Sequence, residues 1–548
     1  MTQKVVVYVT SEVTLHSKLK TYSGGLGEVA GSMARAGRDL PIVGCSLLYR
    51  GGYGEQEVNE NGMTVHYPIA DYSKMLKNTG TRCHLSVRDE DRRYDVYVDI
   101  WECSRGRYGT MPFYFLDTDI DANNERVRSF TRYLYGGSLI TNRSKDLMIW
   151  QSIVLGVGTV LAMEALGFEV LKYHLNESHA VFTPLYLLNR ELRAGTPLES
   201  ALDHVRKKII FTNHTPVDAG NPKYDIGTVL WLSGFHETID FGLMHRLGGH
   251  AYFDATLACL RLSSKVNAVS LRHLEVCRDS WGGVSESASW SAVTNGVSPG
   301  FWQDEFASAN TIAALMEFKK LYKRYKFYYI LGKTGKMLNE EVLTIDWFRR
   351  FAEYKRPKLI FSNMDWLRSH LEEGHFQLVM GGKPHPDDRP MIDAWNEIWR
   401  WARELPNLVL LNGYDPEMSK IVKQGSDLWM MSSRAPLEAC ITSTISAAMV
   451  GANIMSIRDG WIWELDPVEQ HYFLYGTSVP MSMYEQDAYD AASMREVIDA
   501  VVLPEFKGKQ AWWQRQMRIR NMVLQHYTDL RMMREYWDLY GLDEEKMR

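Results

Sequence analysis

Short apolar, β-branched runs recur along the 548 residues of this chain, each followed by positions where apolar residues return every three or four. Val5–Val9 is the first such run, and 170–175, 208–213 and 266–270 read as further buried strands of the first half. A long helix is predicted over roughly 145–166. The second half repeats the pattern, with strands at 342–346, 376–380, 408–411, 428–431 and 453–457 and a helix through 390–403. Ile445, Ala448 and Met449 add a weaker helical spacing before the turn at Asp459–Gly460. Strands that alternate with helices predict parallel sheets, so the fold class is α/β. Segments 62–67 and 94–101 instead alternate with period two, which predicts an antiparallel insertion at about 50–120. From 509 to 540 one helical stripe runs through Ile519, Met522, Val523, His526, Leu530, Met533, Trp537 and Tyr540. It is expected to pack against the domains, with His526 at the core or its boundary. The division is 1–315, 316–503 and a carboxy-terminal helical segment, 504–548.

Composition narrows the function classes. The net charge of −5 gives no general attraction to nucleic acid or to an anionic membrane. Six cysteines lie far apart with no CxxC pair, a reduced usage without a structural zinc site. The start lacks the apolar segment of a secretion signal, and no run reaches 18 uninterrupted apolar residues, so a soluble, cytoplasmic protein is expected. Among 17 Trp and 29 Tyr, some rings suit stacking on a sugar, although filling a large core is an equally good use. The basic run EFKKLYKRYKF reads as a solvated helix face rather than as an anion site.

Candidate chemistry sits at the predicted strand ends. Gly24, Gly25 and Gly27 precede a helix and expose backbone N–H groups that suit a phosphate or a close sugar. Their spacing is not GxGxxG, so a nicotinamide or flavin site is unsupported. Arg350 and Lys355, with Arg349 and Arg356 beside them, follow strand 342–346 and can hold phosphoryl oxygens. Lys383 and His385 come from the next strand end, where Asp387 and Asp388 suit helix capping. Asn176, Glu177 and His179, with His214 and Asp218, supply hydrogen-bonding groups for sugar hydroxyls. A metal cluster of His179, His214 and an acid lacks any close ligand spacing, and no GxSxG elbow supports a serine nucleophile. Glu438 lies in a strand-to-helix loop, where open α/β sheets bind ligands.

These segments resemble the α-glucan (glycogen/maltodextrin) phosphorylases. The matching stretches are YSGGLGEVAGS at 22–32, LLYRGGYGEQ at 47–56, HLNESHA at 174–180, FTNHTPVDAG at 211–220 and KVNAVSLRHLEVCR at 265–278. VTNGV at 293–297, FRRFAEYKR at 348–356, GGKPHPDD at 381–388 and PLEACITSTISAAMVGA at 436–452 follow in the family's order. The resemblance implies a GT-B architecture, with two Rossmann-like domains whose parallel sheets face a central cleft, and retaining transfer of glucosyl units. It assigns Arg350 and Lys355 to the phosphate, His214 to the glucose and Glu438 to the loop acid. Asn295 and Tyr414 complete the expected substrate-contacting set.

One departure redirects the expectation. The family holds pyridoxal phosphate through a lysine eight residues after the glutamate, and that position here is Ser446, which has no amine to form an imine. The motif glycine corresponds to Ile441, whose branched side chain is expected to occupy space near the substrate. Glycogen and starch synthases share the cleft, the glycine loop and a similar Arg/Lys pair, and use nucleotide sugars. The expected activity is therefore hexosyl transfer from a nucleotide sugar to a sugar or glucan, with no cofactor, no metal and a possible homo-oligomer. Alternatives are a phosphorylase-type enzyme with noncovalent or absent pyridoxal phosphate, and a noncatalytic glucan-binding homologue.

Overall fold

The computed structural model describes residues 3–60, 62–89, 92–136, 144–216, 220–303, 306–469 and 471–542. The first part of the chain contributes strands β1 (Gln3–Thr10), β2 (Ile42–Leu47), β3 (Glu55–Asn59), β4 (Gly62–His66), β5 (Lys77–Asp89), β6 (Arg92–Cys103) and β7 (Phe113–Asp117). It continues with β8 (Phe168–Asn176), β9 (Ile209–Thr212), β10 (Lys223–Tyr224), β11 (Phe253–Asp254), β12 (Lys265–Ala268) and β13 (Trp290–Ala292). Nine of them form one sheet in the order β13-β12-β9-β8-β1-β2-β7-β6-β5. From β13 to β7 all pairs are parallel. β6 and β5 extend the β7 edge antiparallel.

The second part supplies β14 (Leu343–Phe348), β15 (Phe376–Gly381), β16 (Leu408–Leu411), β17 (Leu428–Met430), β18 (Asn453–Ser456) and β19 (Phe473–Leu474). They form a parallel sheet in the order β16-β15-β14-β17-β18-β19. Every residue of β14 to β18 is buried, as a sheet covered by helices on both faces requires. Counted within its own domain, the parallel strands run 3-2-1-4-5-6-7 in the first sheet and 3-2-1-4-5-6 in the second. The strand order therefore reverses between β1 and β8 in the first sheet and between β14 and β17 in the second, where α/β sheets bind ligands.

The antiparallel insertion splits in two. β5 and β6 complete the first sheet, which is therefore mixed rather than wholly parallel, while β3 and β4 form a separate hairpin. That hairpin reaches the second domain: the Met63 amide donates to Asn396 Oδ1 at 2.9 Å and the Gly413 amide to Gln56 Oε1 at 3.3 Å. The apolar helix Ser144–Ala165 is long enough to cross a membrane by composition, yet most of it is buried against the first sheet.

The carboxy-terminal stripe is two helices, Gln510–His526 and Asp529–Tyr540. The break re-phases the pattern, so that His526 and Leu530 are exposed, not core. Its cause is a pairing of Val297 with residues 527–529, the Val297 amide donating to the Tyr527 carbonyl at 3.0 Å and the Asp529 amide to the Val297 carbonyl at 3.0 Å. Gly296 permits this approach, since a Cβ there would lie 2.1 Å from the Thr528 carbonyl oxygen. Ile519 and Val523 join the core of the second domain, whereas Met532, Met533, Tyr536 and Tyr540 join that of the first.

The basic run also departs from expectation. It lies on the helix Ile312–Thr334, where Lys319, Lys323 and Lys326 are buried on one face. Lys326 Nζ meets Asp346 Oδ1 at 2.6 Å with both side chains inaccessible to solvent, and Lys323 Nζ meets Asp427 Oδ2 at 2.6 Å. Lys319 Nζ donates to the Gln424 carbonyl at 2.8 Å. Long aliphatic stems cover apolar surface while each ammonium finds an oxygen beneath the sheet. Removing one partner of such a pair strands a buried charge. Lys326→Met is accordingly expected to lower unfolding free energy by about 3–5 kcal/mol in urea titrations, with the double variant Lys326→Met/Asp346→Leu recovering most of it.

Candidate active site

Two strand ends build the polar centre of the second domain. After β14 the chain places Arg349 and Arg350, and after β17 a loop leads through Ser432 and Ser433 to Glu438. Glu438 is buried. Arg349 Nη2 lies 2.8 Å and Lys355 Nζ 3.3 Å from Glu438 Oε1, and Ser433 Oγ donates to the same oxygen at 2.6 Å. Burial alone would raise this carboxyl, but Arg349 and Lys355 hold it down at about 2. Lys355 is pushed down to about 7, first by burial and then by Arg349, with Glu438 opposing. The Glu438 amide donates to Asp459 Oδ2 at 3.0 Å, fixing the loop. Arg356 is spent on structure, paired with Asp487 at 2.7 Å and Asp490 at 2.8 Å.

Arg350 differs from its neighbour. Its side chain is exposed to solvent, yet it is flanked by Tyr354 of its own domain and by Tyr53, Tyr135 and Glu12 of the other. Burial works against its charge and these groups outweigh it, so the guanidinium is held above its ordinary value. It lines the cleft between the two switch points.

On the opposite wall Glu12 follows β1. It accepts from the Ser23 amide at 2.5 Å, the Gly24 amide at 3.1 Å and the Tyr135 hydroxyl at 2.8 Å. The first amides of the glycine loop are thus already taken by a carboxylate, contrary to the expectation that they face a phosphate. The three glycines divide accordingly. A Cβ at Gly27 would strike Tyr22 Cβ at 2.7 Å, so Gly27 serves packing, while Gly24 has open space and Gly25 faces Thr442 Oγ1 of the second domain at 3.7 Å.

Asn176 and Glu177, both buried, support His214. His214 Nε2 meets Asn176 Oδ1 at 2.6 Å, and the His214 amide donates to Glu177 Oε1 at 2.7 Å. Because Asn176 Nδ2 donates to Thr10 Oγ1 at 3.0 Å, its Oδ1 is the acceptor, which assigns the proton to Nε2 of His214 and leaves Nδ1 able to accept. Burial pushes His214 down to about 3, so the ring is neutral. Asn176 and Glu177 thus position His214 rather than face a ligand. His179 packs against Tyr135 at 5.5 Å, and the two border a cavity of about 10 Å³. Asn295 is buried, its amide donating to the Val269 carbonyl at 3.1 Å. Asp218 lies outside the described residues.

Lys383, His385 and Tyr414 sit at the ends of β15 and β16. Lys383 Nζ donates to the Gly54 carbonyl at 3.4 Å, which makes it a strut between domains, not an anion ligand. His385 lies edge-on to Tyr53 at 5.8 Å, with Nδ1 accepting from the Asp387 amide at 3.1 Å. The Tyr414 hydroxyl bonds Ser419 Oγ at 2.7 Å.

Position 446 does not fit a covalently held pyridoxal group. Ser446 is wholly buried, and its hydroxyl donates to the Ser443 carbonyl at 3.1 Å and the Thr442 carbonyl at 3.4 Å. Ile441 keeps the left-handed backbone that a glycine would take, at φ 66° and ψ 46°. Its side chain belongs to the second-domain core beside Gly460 and does not fill the substrate space as expected.

Glu12, Tyr53 and Tyr135 are site residues that spacing alone did not single out, and Arg349, noted beside Arg350, proves to be the partner of Glu438. Tyr53 lay within the tyrosine-rich LLYRGGYGEQ, and Glu12 is the first acid after the first strand. Tyr135 carries no sequence signal.

Two Rossmann-like sheets whose switch points face one cleft define a GT-B type protein. Within that class, the chain belongs to the glycogen/maltodextrin phosphorylase-like family. It is 33% identical to an uncharacterized protein of Methanocaldococcus jannaschii, over 97% of this chain and 99% of the other. It is 28% identical to a maltodextrin phosphorylase of Thermococcus litoralis, covering 98% of this chain and 70% of that protein. With a glycogen phosphorylase of Aquifex aeolicus it shares 27% identity over 97% and 85%. No family model matches the chain.

The position of Lys355 sets a pH dependence. Because its value drops from 10.5 to about 7, the unfolded chain holds a proton between those values that the folded one lacks, so its contribution to stability rises with pH across that window. Anion binding has the opposite sign, since it needs the ammonium. Sulfate, whose charge is constant, is expected to bind progressively more weakly above pH 7, with Lys355→Arg removing the slope. Calorimetry from pH 6 to 9 checks this, and a flat profile in the parent protein would refute the placement.

Proposed function

We propose that this protein is a retaining glycosyltransferase that moves a hexosyl unit, in the first instance glucosyl, from a nucleotide sugar to a sugar or glucan acceptor without pyridoxal phosphate. The observation that carries the reading is a solvent-open Arg350 beside Lys355 at the second switch point, together with a buried serine at position 446. The donor's diphosphate lies against Arg350 and Lys355, fixed cations that stabilise the negative charge developing on the leaving group. Glu438 is anionic and only accepts hydrogen bonds. Its contacts with Arg349, Lys355 and Ser433 all fall on Oε1, which leaves Oε2 for a ribose or sugar hydroxyl. His214 offers Nδ1 to a hydroxyl of the transferred ring from the facing domain. The hairpin contacts across the cleft help exclude water from an oxocarbenium-like transition state. The six cysteines are unpaired and buried, in keeping with a reducing cytoplasm.

A second reading, phosphorolysis of an α-glucan by inorganic phosphate, is favoured by the relatives that carry the names maltodextrin phosphorylase and glycogen phosphorylase. Purified protein given UDP-, ADP- or GDP-glucose with maltodextrin, and in parallel glucose 1-phosphate with maltodextrin, separates the two. Chain extension only from glucose 1-phosphate supports phosphorolysis. Glucan binding with no turnover from any donor supports a noncatalytic homologue. Arg350 makes no ion pair among the described residues, so Arg350→Ala is expected to cut kcat by about 10²–10³-fold. Its melting temperature should stay close to that of the parent, and an unchanged kcat would remove Arg350 from the site.

A further inference from the structure

At the opposite edge of the second sheet, away from the cleft, the helix Met364–Glu372 ends just before β15. Gly374 stops it at φ 72°, and the His375 amide donates to the His370 carbonyl at 2.9 Å. This is the Schellman termination, in which the second residue past the cap folds back over the third residue before it. Those two positions usually hold an apolar pair. Here both are histidines, and their Nδ1 atoms face each other at 3.0 Å.

Acids lie beside the remaining ring nitrogens. His370 Nε2 lies 3.2 Å from Asp499 Oδ1, and His375 Nε2 lies 3.5 Å from Glu373 Oε2. Asp499 is itself held by the Trp366 indole at 2.9 Å and rides on a π-helical turn, Ile498–Val502. Trp366 at 4.7 Å and Phe376 at 5.4 Å fix the His370 ring. A carboxylate beside each Nε2 favours the proton there, which turns both Nδ1 lone pairs toward the same gap; a ring proton can bridge that gap, and so can a metal ion.

We propose that His370 and His375 form a two-histidine chelate for a late first-row divalent metal ion, with Asp499 and Glu373 orienting the rings. Imidazole nitrogens bound at about 2.0–2.1 Å stand about 2.9 Å apart at a right angle and about 3.3 Å at the tetrahedral angle, which brackets the observed gap. Imidazole suits zinc, copper and nickel, and a carboxylate on the second ring nitrogen is the usual support of a metal-bound histidine. Among the described residues no group of three or more His, Cys, Asp or Glu surrounds a common point, so the protein supplies two ligands and solvent the others. A surface pocket of about 320 Å³, bordered by Leu503, Pro504 and Lys507, leaves room for them.

The test is equilibrium dialysis of the full chain against Ni²⁺, with Cu²⁺ electron paramagnetic resonance on the same samples. The parent is expected to take up one more equivalent per chain than His370→Gln/His375→Gln, and to show coupling to two nitrogens that the double variant lacks. Asp499→Asn keeps both rings and is expected to bind about 10–100-fold more weakly. Circular dichroism melts establish that each variant is folded. Equal metal uptake by the parent and a folded double variant at every concentration would overturn the site, because only a shared proton would then fill the gap.

Discussion

A carboxylate without water must be surrounded by cations, and the centre of this protein is organised by that requirement at Glu438. Its charge is stable only because Arg349 and Lys355 converge on one oxygen and Ser433 donates to it. The arrangement joins the ends of β14 and β17, the two strands that flank the reversal in the second sheet. It also divides labour between adjacent arginines. Arg349 neutralises the glutamate and stays buried, while Arg350 turns toward the facing domain. A cation already matched to a carboxylate has little charge to offer a ligand, so of the two arginines Arg350 is the better suited to an anion.

The same loop is tied to the first domain. Ser270, at the end of β12, donates to the Ala439 carbonyl at 2.6 Å, one residue beyond the glutamate. Glu464 accepts from the Leu271 amide at 2.9 Å, from Thr294 at 2.8 Å and from the Tyr527 hydroxyl at 3.0 Å. One acid thus joins the second domain, the first domain and the carboxy-terminal helices. With Lys383 bound to the Gly54 carbonyl on the other side, the distance between the switch points is set from both ends of the cleft. Positioning of this kind matters wherever two sheets contribute side chains to one cleft.

Much of this was legible in the sequence. Strands buried on both faces announce themselves as apolar runs, and the polar residues that follow them mark the edge where the cleft lies. Three failures share a cause. The lysines at 319, 323 and 326 look like a solvated face because their partners, Asp346 and Asp427, are remote in sequence. The break after His526 depends on Val297, far earlier in the chain. The capture of the glycine-loop amides depends on Glu12, which local pattern reads as an ordinary loop acid. Periodicity reports which face is apolar; it does not report which buried charge has a partner waiting.

The most instructive position is Ile441. A β-branched residue in the left-handed region costs about 1–2 kcal/mol relative to glycine, so something must impose that conformation. Two contacts do. The Trp461 amide donates to the Cys440 carbonyl at 3.1 Å, and a Cβ at Gly460 would lie 2.6 Å from that same oxygen, so the two turns are pressed together. The Ile441 side chain meanwhile fills the core against which the helix Thr442–Met449 packs. Apolar burial offsets backbone strain, and the loop keeps the geometry that a glycine would give while exposing none of glycine's bare backbone on that side. Four residues into the same helix, Ser446 spends its hydroxyl on the carbonyls beneath it. The frame that carries Glu438 is thus held by packing together with the hydrogen bonds of its own loop.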